Sequence, residues 1–218
     1  MAKKGTGLLM VWADVPADKE DEFNRWYNEE HLPERMAIPG FLGGARYEAV
    51  KGGPKHLACY ELENAAVMES PAYKKVQGNP TPWTRKIGPQ AIGTPFIRNI
   101  YTMLHPKAPT STTASAPMAP ALQIGRMDVP AAADREFNEW YNTVYVPNYE
   151  KVPGVIRGRR YRAVEGTPTP RNDSAASPRT AAAKMNVPCT MTGDMQFGST
   201  WRASTRRSGT PSASAAST

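Results

Sequence analysis

The chain has 218 residues and a net charge of +7, a length that holds one or two domains. Residues 167–218 carry six Lys and Arg against two acids, a surplus of +4 that leaves only +3 for the rest, so the basicity belongs to the C-terminal stretch and nucleic acid is not an expected partner. Cys59 and Cys189 have neither disulfide nor metal-ligand spacing, and no apolar run approaches a membrane span, so a cytoplasmic protein with no membrane partner is expected.

Lys3-Lys4 precedes an apolar run, but Asp14 follows it with no small-residue cleavage site, so Leu8–Asp14 reads as a buried strand instead of a secretory start. Pro16-Ala17-Asp18 opens a helix with Asp18 as its N-cap. One face of that helix carries Phe23, Trp26, Tyr27, Glu30 and His31, and Pro33 is expected to end it. Pro39-Gly40 turns the chain into strands Phe41–Val50 and His56–Glu63, joined by a Gly-Gly-Pro hairpin. A helix over Asn64–Val76, broken near Ser70-Pro71, and a strand over Phe96–Leu104 complete a first unit, residues 7–104. Residues 105–120 (HPKAPTSTTASAPMAP) have no apolar periodicity and read as a linker.

From Ala121 the first unit begins again. At a fixed offset of 114, residues 14–53 and 128–167 share 19 of 40 positions, among them Asp14-Val15-Pro16-Ala17, Trp26-Tyr27-Asn28, Pro39-Gly40 and Arg46-Tyr47. Such a match means that one structural unit has been duplicated. The copies differ where Glu30-His31 becomes Val144-Tyr145. Past residue 167 the match stops, and 26 of the last 52 residues are Ser, Thr or Ala. A partial second unit, 121–167, and a disordered low-complexity tail, 168–218, are therefore expected, the tail arising from a shifted reading frame or as a genuine polar segment. Because a second unit without its last two strands cannot cover the first unit's sheet, first units of two chains are expected to pair as a homodimer.

The order βαββαβ, the segment Trp26-Tyr27-Asn28-Glu29-Glu30-His31-Leu32-Pro33, and Pro39-Gly40-Phe41 with Ala45-Arg46-Tyr47 resemble the dimeric α+β barrel superfamily. Within it the likeness is to EthD-like and related small proteins. The resemblance covers residues 7–104 and 121–167. It implies tandem α+β, ferredoxin-like units whose sheets pack face to face. It does not fix a reaction, because cofactor-free monooxygenases, cyclases, lactone isomerases and haem-degrading enzymes share the fold.

The first 104 residues hold a single serine, Ser70, outside any nucleophile elbow, and there is no phosphate-binding loop. Only His31, His56 and His105 are present, none with a second imidazole at ligand spacing, so no metal site is expected. His31 is the strongest candidate for chemistry, an imidazole at the end of the amphipathic helix, with Glu30 as its orienting group or a second base. The alternative is that His31 merely caps its helix. Trp12, Tyr27, Tyr47 and Tyr60 are candidate pocket walls. On strand 41–50, Tyr47 shares a face with Gly43 and Ala45, while Arg46 points the other way. His56, beside the hairpin, reads as a solvated edge residue. The expected function is a cofactor-independent enzyme acting on a small apolar oxygenated or aromatic molecule by general acid/base chemistry, in the manner of a cyclase, isomerase or monooxygenase. A non-catalytic small-molecule binder is the alternative, and haem binding through His31 a third.

Overall fold

The computed structural model describes residues 3–110, 114–166, 183–188 and 199–203. In the first unit β1 (Gly7–Ala13) leads through α1 (Glu20–Trp26), a wider turn over Tyr27–His31 and α2 (Leu32–Met36) to β2 (Phe41–Lys51) and β3 (His56–Leu62). Short helices α3 (Pro71–Gly78), α4 (Pro82–Ile87) and α5 (Pro89–Ile92) then precede β4 (Phe96–His105). The second unit has β5 (Ala121–Asp128), α6 (Asp134–Trp140), a turn over Tyr141–Tyr145, α7 (Val146–Glu150) and β6 (Gly158–Gly166). β7 (Ala183–Pro188) and β8 (Ser199–Ala203) follow.

The eight antiparallel strands close into one barrel in the order β1-β3-β2-β8-β5-β7-β6-β4. Each half repeats the same local order. Trp12 pairs with Leu57 as Arg126 pairs with Met185, and Leu8 pairs with Tyr101 as Leu122 pairs with Trp201. Two seams, β2 with β8 and β4 with β6, join the halves.

Beyond residue 167, where the second unit is expected to stop, the structure describes two further strands. β7 and β8 supply the third and fourth strands of that unit from within the expected tail, of which residues 167–182, 189–198 and 204–218 lie outside the described residues. The number of residues between strands also changes from one half to the other. Sixteen residues, 167–182, separate β6 from β7 where four, 52–55, separate β2 from β3, and ten, 189–198, separate β7 from β8 where 33, 63–95, separate β3 from β4. A comparison at fixed offset loses register at the first such change, whereas backbone pairing does not. With both halves drawn from one chain, the uncovered sheet face that motivated a homodimer is covered internally.

Two further expectations change. Asp18 lies inside a short 3-10 turn over Ala17–Lys19 and does not occupy the N-cap. The helix also continues past Pro33 to Met36, because the turn before the proline widens.

β1 is apolar on both faces because both are buried. Leu8, Met10 and Trp12 point into the barrel, where Tyr47, Leu57, Cys59, Tyr101, Leu122, Ile124 and Tyr161 join them. Leu9 and Val11 point outward, against a helix layer that includes Phe23, Trp26, Tyr27 and Tyr73 over Tyr60 and Ile100. The linker is docked as well. The backbone N–H groups of Lys3 and Lys4 donate to Ala114, the Lys4 ammonium donates to the carbonyls of Ala116 and Pro117, and the Tyr47 hydroxyl donates to that of Ala119.

One charge pair joins the halves inside the barrel. Arg159 of β6 donates to both carboxylate oxygens of Glu61 of β3, at 2.6 and 3.1 Å, and Glu61 is 0% exposed. Removing one member strands the other charge away from water. Glu61→Leu should therefore lower unfolding stability by about 3 kcal/mol, while Glu61→Leu combined with Arg159→Met should recover most of that loss in urea titrations. Cutting the chain after Gly166 should abolish cooperative unfolding or drive further self-association, read by sedimentation beside the full-length chain, because it removes two strands from the closed ring.

Candidate functional site

Proline 33 shapes the helix that carries the site. It has no N–H to donate, and its ring crowds the carbonyl four residues back. The preceding turn relaxes to i→i+5 spacing, with the Leu32 N–H bonded to the Tyr27 carbonyl. Pro147 stands behind the same geometry in the second unit, where the Val146 N–H bonds to the Tyr141 carbonyl. The extra residue in the turn changes which side chains face the sheet.

That helix is fastened to the sheet by Arg46 of β2. Its guanidinium donates to Asn28 at 3.0 Å and to Asn24 at 2.6 Å, and lies 4.5 Å from the centre of the Tyr27 ring. Arg160 repeats the arrangement with Asn142, Asn138 and the Tyr141 ring, the last at 4.6 Å. Retention of Arg46 in both copies thus has a structural cause.

Between this helix and α3–α5, over the outer face of the sheet, lies a cavity of about 120 Å³. Trp26, Tyr27, His31, Tyr60 and Tyr73 line it together with Arg35. The His31 ring sits 4.5 Å from Trp26 and 4.9 Å from Tyr27, and its Nδ1 has no hydrogen-bond partner. The nearest carboxylate is Glu34, 3.9 Å from Nδ1. Burial first, then the Arg35 and Arg46 charges, pushes the His31 pKa down to about 3, so the imidazole is neutral near pH 7. Burial pushes the Glu34 carboxyl the other way, above the usual carboxylate range. Tyr60 donates its hydroxyl proton to the Tyr27 oxygen across 3.3 Å, and burial raises both phenols, which stay protonated.

Of the residues singled out from sequence, Tyr27, His31 and Tyr60 meet at this cavity. Glu30 is adjacent but engaged elsewhere: its carboxylate accepts from Trp26 Nε1 at 3.1 Å, Thr81 at 2.6 Å and Thr84 at 3.0 Å, which ties α1 to α4. Trp12 and Tyr47 lie on the opposite face, inside the barrel, and Arg126 lies 4.9 Å from the Trp12 ring. His56 is not a solvated edge residue. It is buried against Phe23, 3.8 Å from Glu20, because β3 is covered by the helix layer along its length. Sequence reasoning passed over Glu34, Arg35, Tyr73 and Arg98. The first two stand three and four residues after His31, the spacing that puts side chains on one helical face, and that was the available signal. Among the described residues no group of three or more His, Cys, Asp or Glu is placed to hold a metal ion, and no helix is long and apolar enough to cross a membrane.

The proton affinity of His31 in the folded chain lies below its unfolded value of 6.5. The unfolded chain therefore takes up the extra proton, and the His31 contribution to stability is lost as pH falls below about 6.5. Between about pH 6.5 and about pH 5 the wild type should lose roughly 2 kcal/mol more unfolding stability than His31→Leu, measured by urea denaturation at each pH.

No protein-family model and no curated protein matches the chain. Solved structures that it resembles include the crystal structure of an anthrone oxidase-like protein, superposed with a TM-score of 0.56 over 94% of each chain at 9% sequence identity. A likeness at that identity is one of fold, and it places the chain among proteins with the α+β barrel architecture.

Proposed function

We propose that the chain is a cofactor-independent enzyme that removes a proton next to a carbonyl in a small, mostly apolar or aromatic molecule, with His31 as the general base. The observation that carries this reading is a neutral, buried imidazole with an unpartnered nitrogen on the wall of an aromatic cavity. The Arg35 and Arg46 charges that disfavour imidazolium favour, through the same field, a negative enolate oxygen. Tyr27, whose oxygen already accepts from Tyr60, keeps its own proton for a substrate oxygen. Glu34, 3.9 Å from Nδ1 and raised in proton affinity, must close to hydrogen-bond distance before it takes the proton onward and returns it at another carbon. Isomerisation or ring closure through an enolate follows from these steps. The anthrone oxidase-like neighbour, named for an aromatic ketone, supports a substrate of this kind.

Within this reading Glu30 holds α4 in place so that the cavity has a roof, and Tyr60 orders Tyr27. Trp12 and Tyr47 belong to the barrel core and take no part. The second unit carries Tyr145 where the first has His31, so the imidazole proposed as the base is not repeated there.

A second reading, a non-catalytic binder, is favoured by the same low proton affinity of His31, which weakens it as a base but keeps a neutral lone pair that can accept a hydrogen bond. Exchange of the α-hydrogens of 1-tetralone in D2O, followed by proton NMR, separates the two. Wild type should accelerate exchange over buffer, His31→Gln should lose at least about a hundredfold of that rate, and Tyr145→Phe should keep it. A wild-type rate equal to that of buffer, or full activity in His31→Gln, removes the enzymatic reading.

A further inference from the structure

Arg35 is anomalous among the arginines of the helix layer. Arg46 is held by two asparagines, and Arg98 by Glu165 at 2.8 Å and the Tyr73 hydroxyl at 3.2 Å. Arg35 lines the cavity beside His31, is largely buried, and its Nη1 is shielded from water with no acceptor. The nearest carboxylate oxygen, on Glu34, stands 3.9 Å from Nη2, too far for a hydrogen bond. The Tyr73 ring, 5.5 Å from the guanidinium carbon, gives the charge a face to rest on but no lone pair to receive its protons. A guanidinium is donor-only and cannot neutralise itself by losing a proton, so an unmet buried Nη1 is costly. One turn earlier, His31 Nδ1 is buried without a partner too. Two unmet polar atoms, four residues apart on one helix, belong to side chains that line a cavity whose other walls are chiefly rings and aliphatic groups.

We propose that the ligand of this cavity is an aromatic anion, one whose ring occupies the space between Trp26, Tyr60 and Tyr73 and whose carboxylate or equivalent oxyanion accepts from Arg35. The inference rests on the cavity being the ligand site, as in the reading above, and adds the charge of what enters it. Its volume of about 120 Å³ holds an aromatic ring, and the exposed Gln77 and Gln90 among its lining leave room for a further ring at the edge. Glu34, within 3.9 Å of both Arg35 and His31, sets a second condition. Glu34 lines the same cavity and stands nearest Nη2, so the oxyanion must seat on Nη1, the guanidinium nitrogen without an acceptor. Arg98 is already paired with Glu165, and Glu30 accepts three hydrogen bonds at Oε1 from Trp26, Thr81 and Thr84, so both are engaged elsewhere. An anion seated on Arg35 would also cancel one of the two charges that hold His31 neutral, which raises the proton affinity of the base when a substrate is present.

Benzoate and benzamide, equal in shape and different in charge, test this on the full chain by calorimetric titration. Benzoate should bind the wild type at least about tenfold more tightly than benzamide, the difference between a charge-assisted and a neutral hydrogen bond. Arg35→Gln should bring the two within about twofold, and Arg35→Lys should keep part of the preference. Equal affinity of the wild type for both probes, or no benzoate binding up to about 10 mM, overturns the proposal without recourse to any variant. So does an undiminished preference in Arg35→Gln. The outcome is separable from the catalytic reading: ketone exchange that depends on His31 with no preference for benzoate sinks the anion site alone. A benzoate preference with no exchange sinks the catalysis alone.

Discussion

The buried contact of Arg46 with Asn24, Asn28 and the face of Tyr27 is the constraint on which the rest of the site depends. A guanidinium between sheet and helix must have its donors met, and two asparagines four residues apart meet them only if the helix sits at one height and one rotation above β2. With that rotation fixed, the widened turn that follows carries His31 over β1 and β3, and the aromatic rings of Trp26 and Tyr27 bracket it. Arg46 also contributes to the low proton affinity of His31. One side chain thus places the imidazole and sets its charge. The same clamp, built from Arg160, holds the second helix where no histidine follows, so its primary role is to position a helix.

The two halves share that clamp and differ in what lies above it. In the first, α4 lies over the helix, Thr84 accepts from the Trp26 indole, and Trp26 is 0% exposed. In the second, Trp140 is 47% exposed, and only ten residues connect the strands that 33 connect in the first. A dry cavity needs a roof, and the roof is what the second half does not repeat among its described residues. His31 and the covering helices occur together, on the same half.

Much of the first half was legible in the sequence. The 3-and-4 spacing of Phe23, Trp26 and Tyr27 located the helix, and strand alternation put Arg46 and Tyr47 on opposite faces of β2, as observed. Other features could not be read there. Proline was taken as a stop because its usual effect is to break a helix, whereas here the turn ahead of it widens and the helix runs on. The split of Trp12 and Tyr47 from Tyr27 and Tyr60 depends on which face of a strand buried on both sides meets the helices, and an apolar run gives no phase for that. Arg35 carries no mark of burial in the sequence, and only tertiary packing shows its Nη1 buried without an acceptor. β7 and β8 were hidden because the number of residues between each of them and the preceding strand differs from that in the first half.

Closure of the barrel within one chain has a thermodynamic consequence. When such a barrel is assembled from two separate chains, its stability follows mass action and weakens on dilution. Here the partner sheet is tethered by residues 105–120, so the association is first-order and its strength is set by an effective concentration. Covalent linkage also lifts a symmetry restriction. In a homodimer every substitution appears twice at the seam, whereas Ala45 and Arg159, or His31 and Tyr145, vary independently in a tandem chain. The buried Glu61–Arg159 pair, which would need a second, symmetry-related copy in a dimer, exists here once.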